Sequence, residues 1–184
     1  VTVHEIKGAA FVTLQRLVTT EHGAENWSAL VAAMPPAHGA QVQHAHASDW
    51  FDEEVHASVL RATFETVAAR DVTRYEQVID AGTTLGVHTF ARLILGMSSP
   101  AFVVRRCPTL WTVIRRGPAR VSVEQPSEGR SIVRYERFPF FDDVLYRHYF
   151  RALLGAVVRP ALGRTPIVSL LAHTANTLDV EIRH

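Results

Sequence analysis

Few side chains in this 184-residue chain combine a reactive type with a telling spacing. His44 and His46 stand two apart, with Asp49 and Asp52 close behind. On an extended segment the two imidazoles share a face, and imidazole with carboxylate suits zinc or iron. Neither His38 nor His56 stands at a recognisable ligand spacing from that pair, so exposed loop histidines are the plainer reading. No metal and no cofactor are expected. Cys107 is the one cysteine. Arg105 and Arg106 just ahead of it would lower a thiol pKa, yet a lone cysteine in an apolar helix usually packs as a small hydrophobe. His88 lies on a mixed helical face, where histidine is more often structural than ligating. Trp111, Tyr135 and Arg137 add an indole, a phenol and a guanidinium. No Ser/His/Asp triad, phosphate-binding glycine loop or carboxylate pair rises above background, so an enzyme is the least expected class.

The stretch that must organise these residues is 138–160, FPFFDDVLYRHYFRALLGAVVRP. Asp142 or Asp143 can cap its first turn, and Pro160 is expected to close it. Apolar residues cover most of the cylinder, and Arg147, His148 and Arg151 form one narrow polar edge. Such a helix needs cover on several sides and reads as a core element. Before it, amphipathic helices are expected over 6–22, 24–34, 53–69 and 73–97, with a loop from Pro35-Pro36 to Asp49. A further helix starts at Ser99-Pro100 and is disturbed at Cys107-Pro108. Patterning changes to period two after Gly117-Pro118. Strands are expected over 119–124 and 131–137, then 167–171 and 178–182. The expected fold is α+β in one domain: a helical part over 1–117, then a four-stranded antiparallel sheet in β-β-α-β-β order over 118–184.

Composition excludes several classes. At 47% hydrophobic and 20% charged the chain is an ordinary globular sequence. It can bury a sizeable core without disulfides. No basic, apolar leader opens it, and no run approaches the ~20 apolar residues of a membrane span, so a cytoplasmic protein is expected. Net charge is +1, but residues 1–91 carry 5 basic and 11 acidic side chains against 14 and 7 in residues 92–184. The basic excess is densest between Arg105 and Arg137 and includes Arg115 and Arg116. It reads either as a face for an anionic partner or as a surface that the acidic half neutralises. No nucleic-acid motif accompanies it, so the second is preferred and no nucleic acid is expected.

The opening IKGAAFVTLQRLVTTEHGAENWSAL, WFDEEV entering a helix, the long helix after it and the β-β-α-β-β end resemble haem-dependent nitric-oxide/oxygen-binding (H-NOX) domains. Their fold group takes in the vinyl-4-reductase domain and subunits of the TRAPP tethering complex. The chain also resembles a family of short myxobacterial proteins of this length. The likeness implies a sensor with a ligand pocket between helices and sheet. Haem members ligate iron through a histidine in the helix before the first strand, which is absent from PAFVVRRCPTLWTVIRRG. Of their Tyr-x-Ser-x-Arg anchor only Tyr135 stands, since Arg137 and Pro139 replace the serine and arginine. The resemblance therefore implies a ligand-binding domain without haem, with a cysteine-ligated haem at Cys107 as the exception.

Cys107, Trp111, Tyr135 and Arg137, with His88 more weakly, are the candidate ligand-binding residues. Gly82 and Gly86 thin the wall opposite, and a pocket of a few hundred Å³ is expected there. The partner would be a small apolar molecule or a signalling protein. A dimerising interaction scaffold with a filled interior is the first alternative, and a haem- or metal-binding protein the second.

Overall fold

The computed structural model describes the backbone of residues 3–94 and 99–184 and the side chains of residues 3–86 and 99–184. Helices dominate the first part. They are α1 (Ala9–His22), α2 (Ala24–Ala32), α3 (Pro36–Gln43), α4 (Glu53–Ala62), α5 (Val72–Ile94), α6 (Pro100–Arg105) and α7 (Cys107–Ile114). Asp52 caps α4 by accepting from the Glu54 N–H at 3.0 Å, and Ser99 caps α6 by accepting from Phe102 at 3.3 Å. These caps satisfy amide groups that the first helical turn leaves open. Between α4 and α5 a π-turn, Thr63–Val67, precedes Ala69 and Arg70, which both have positive φ. That reversal brings α5 back along the molecule.

Two corrections to the sequence reading fall in this part. The segment after Pro35-Pro36 is not all loop, because Pro36 opens α3 with its ring at the first helical position. A small sheet was also invisible in the sequence. Strands β1 (Glu5–Lys7), β2 (Trp50–Asp52) and β3 (Arg115–Arg116) pair antiparallel in the order β2-β1-β3. The expected first helix thus begins three residues late, after a strand.

The second part is the expected hairpin, helix and hairpin. Strands β4 (Arg120–Ser127), β5 (Arg130–Glu136), β6 (Ile167–His173) and β7 (Thr177–Arg183) form an antiparallel sheet in the order β4-β5-β7-β6. On the inner face Tyr135 pairs with Leu178 and Val133 with Val180, all buried. On the outer face Arg134 makes a two-point contact with Asp179 at 2.9 and 3.0 Å. Helix α8 (Val144–Leu162) lies between this sheet and α5. Asp143 rather than Asp142 caps it, accepting from Leu145 at 2.8 Å. Pro160 does not end it. The proline sits in the last turn, and Gly163 in left-handed conformation, φ 69°, makes the stop.

The polar edge of α8 docks on the acidic face of α5. His148 and Arg151 both reach Glu76, at 2.6 and 2.7 Å. Arg159 reaches Asp80 at 2.6 Å. Part of the basic excess of the second half is thus neutralised by acids of the first half within one fold. Among the described residues no helix is long and apolar enough to cross a membrane.

Candidate functional site

Two apolar cores form, one of α8, α7 and the large sheet, the other of α1, α2 and α4. A cavity of about 520 Å³ lies where they meet. Its walls come from α1, α4, α5, α7, α8 and β5, and residues of both cores line it. The volume is within the usual range for small-molecule sites. Gly82 and Gly86 of α5 line it as expected. No close approach demands them, since a methyl group at either would meet only the Leu17 or Thr13 side chain of α1, at 3.7 Å.

Cys107, Trp111 and Tyr135 all reach this cavity. Burial pushes the Cys107 thiol up to about 12, so it stays protonated. Arg105 and Arg106 are exposed and do not counter that. Trp111 stacks on Phe150, with centroids 5.9 Å apart, and tilts against Tyr135 at 5.5 Å. Burial also holds the Tyr135 phenol well above its usual range. Arg137 belongs elsewhere: it is exposed beyond the end of β5, at φ 59°, and does not line the cavity. Strand alternation that turns Tyr135 inward, followed by this left-handed residue, carries Arg137 out to solvent. His88 lies on α5, and its side chain is outside the described residues. His44 ends α3 and His46 enters a turn, where Asp49 accepts from the His46 N–H at 3.0 Å. No group of three or more His, Cys, Asp or Glu able to hold a metal occurs among the described residues.

The polar heart of the site escaped sequence reading. Adjacent residues of a strand point to opposite sides, so on β3 Arg116 stacks over the exposed face of Trp50 at 3.8 Å while Arg115 turns inward. The Arg115 side chain is 1% exposed and that of its partner Glu53 is 0% exposed. Nε and Nη2 of Arg115 each donate to a different oxygen of the Glu53 carboxylate, both at 3.3 Å. His56 Nδ1 meets the same carboxylate at 2.7 Å and the Tyr146 hydroxyl donates to it at 3.0 Å. Four aromatic rings, Trp111, Phe138, Tyr149 and Phe150, stand 4.9 to 5.8 Å from the guanidinium.

Burial alone would raise the Glu53 carboxyl, but Arg115 and His56 more than reverse it and hold it at about 2. Burial lowers His56, and the nearby Arg115 lowers it further against the pull of Glu53. The neutral ring therefore donates its Nδ1–H to ionised Glu53, which leaves Nε2 with a lone pair. His56 and Arg115 both line the cavity. Among the described residues the buried side-chain nitrogens and oxygens without a partner are His4 Nδ1 and Arg115 Nη1. His56 donates through Nδ1, which leaves Nε2 without a hydrogen bond among the described residues. Sequence offered one weak signal for Arg115: an apolar run, Leu110 to Ile114, leads straight into it. Glu53 gave none, being one acid of three at a helix start.

No family model matches the chain, and no curated protein matches it. Solved structures do. An Fe(II) unliganded H-NOX protein mutant from K. algicida superposes with a TM-score of 0.71 at 9% identity, over 97% of this chain and 96% of that one. A structure from a study of haem distortion in the H-NOX family gives 0.65 at 13% identity, over 97% and 94%. A point mutant of T. tengcongensis H-NOX gives 0.63 at 12% identity, over 97% of each. The chain thus has an H-NOX-like fold over nearly its whole length, at low sequence identity to these structures. These likenesses do not bear on a myxobacterial kinship.

Proposed function

We propose, on the premise of this shared fold, that the chain is a non-catalytic sensor domain that holds a small apolar molecule in the cavity and does so without haem. The observation that carries the reading is a cavity of about 520 Å³, bounded by both cores. Close-packed interiors seldom keep so large a space unless something occupies it.

The donor set does not suit haem. Helices α6 and α7 contain no histidine, and iron binding through Cys107 would first have to deprotonate a thiol that burial holds at about 12. Haem also carries two carboxylates that need cations. In the described wall Arg115 is already paired with Glu53, and Lys7 directs its ammonium over Trp50, 5.6 Å from the ring centre. His56 of α4 also lines the cavity, and the cation nearest to it, Arg115, is the one already paired with Glu53. Catalysis lacks support for a related reason. The Glu53–His56 pair resembles a base and its orienting carboxylate, yet no serine or free thiolate stands beside it in the described wall.

Native mass spectrometry of the purified protein, with a haem titration followed by absorption, tests the proposal. The expected result is a co-purifying small organic molecule and no Soret band. A Soret band abolished by Cys107→Ala or His56→Gln would replace the proposal with haem binding. A bare homodimer with no bound molecule would favour the interaction scaffold, which the exposed Ile167 and Leu171 on edge strand β6 would serve.

A further inference from the structure

The cavity is apolar over most of its wall, and its buried polar side chains, His56 and Arg115, stand together at one place. Around Arg115 the aromatic neighbours are close-set: the Tyr149 ring lies 5.1 Å from His56, 5.2 Å from Phe150 and 5.5 Å from the guanidinium. Tyr135 lies 4.7 Å from Phe150 on the other side. Away from this cluster the lining is mainly apolar, with Leu14, Val78, Gly82 and Leu154, and the half-buried Lys7, Thr13 and Thr83 complete it.

Four polar groups in the cluster have unused hydrogen-bonding capacity. Arg115 keeps Nη1 without a partner. His56 keeps the Nε2 lone pair, because Nδ1 faces Glu53. The Tyr135 and Tyr149 hydroxyls line the same space, and Tyr149 stands near enough to Arg115 to help hold its charge while keeping its own O–H to donate. A buried polar group left unpaired is costly, so a molecule that enters is selected by how well it completes this set.

Charge narrows the choice. The buried full charges at the cluster are Glu53 and Arg115, and they cancel. A carboxylate would add a negative charge beside Glu53 and present only acceptors to the His56 lone pair. An ammonium would face Arg115. A carbonyl by itself accepts from Arg115 but leaves Nε2 unanswered. A hydroxyl donates to Nε2 and accepts from Nη1 or a phenol. We propose that this site selects a neutral amphipathic molecule, an apolar body with a hydroxyl head, and that the head docks among Arg115, His56, Tyr135 and Tyr149.

This inference rests on the cavity being a ligand site, and the test separates the two. Isothermal titration of the full chain at pH 7.5 would compare decan-1-ol, decanoate and decylammonium, which share one tail and differ in head. Decan-1-ol is expected to bind about tenfold or more tightly than either ion. In the Tyr135→Phe/Tyr149→Phe variant, which removes both phenol hydroxyls and keeps the rings, its affinity should drop about five- to tenfold. The melting temperature of that variant reports whether it folds. Tighter binding of decanoate or decylammonium would overturn the hydroxyl head while leaving the ligand site standing. So would unchanged decan-1-ol affinity in the folded double variant. Failure of all three probes to bind would remove the ligand site and this inference together.

Discussion

Replacing Arg115 by methionine tests the buried cluster most directly. Methionine keeps much of the length and apolar bulk of the arginine stem but leaves Glu53 fully buried without its strongest partner. Breaking one side of a buried ion pair typically costs about 3–5 kcal/mol. For a chain of this length that corresponds to a fall in Tm of roughly 6–20 °C. The pH dependence should then identify the cause. In the native protein Arg115 helps keep His56 neutral. With Arg115 gone, His56 can take up a proton and become the counter-ion of Glu53, 2.7 Å away. Its folded pKa should rise above the unfolded value of about 6.5. A histidine raised in this way stabilises the fold below pH 6.5, and that stability is lost as pH rises through the new folded pKa. Arg115→Met should therefore be clearly less impaired at pH 5.5 than at pH 8.5. Urea unfolding followed by circular dichroism at both values measures it. A loss below about 1 kcal/mol at pH 8.5, or the same loss at both, would refute the account of Arg115 as the essential counter-charge.

The native protein should behave in the opposite sense on acidification. His56 is lowered by burial, so stability should begin to fall as pH drops below about 6.5. Glu53, held at about 2 against 4.5 for a free carboxyl, should add a further loss from about pH 4.5 downward, on the order of a few kcal/mol. Denaturant midpoints from pH 8 to pH 3 check both steps, and a flat profile between pH 7 and pH 4 would contradict them. Gly82→Ala and Gly86→Ala should each stabilise α5 by up to about 1 kcal/mol, since each new methyl meets its neighbour only at 3.7 Å. Both line the cavity, so the same variants should weaken binding of any molecule held there. Thermal melts and titration of the bound molecule read the two effects separately.

Much of the architecture was legible because long elements carry their own pattern. The apolar cylinder of α8, the period-two runs of β4 and β5 and the break at Gly117-Pro118 each repeat often enough to identify themselves. Caps were legible at Ser99 and near Asp142-Asp143, where a short polar side chain precedes an apolar run. The stop at Pro160 was misplaced because Gly163 offers the left-handed cap directly after Leu162, and one proline in a final turn removes only a hydrogen bond near an end that frays anyway. Cys107, Trp111 and Tyr135 were reachable because their positions in helix and strand follow from the same periodicities. Arg137 was not, since its place depends on the backbone turn after β5.

What the sequence determined by itself is therefore the order and kind of the longer elements and the apolar faces that make two cores. Tertiary structure alone decided the small sheet and the polar cluster. Strands of two or three residues have no period to read, and β1, β2 and β3 exist only because distant segments pair. Charge, too, has no sign of its own for burial. Arg115 and Glu53 stand 62 residues apart, each among other residues of like charge. Either alone would belong in water, and the fold can bury them because it brings them together, with His56 and Tyr146 to complete the carboxylate.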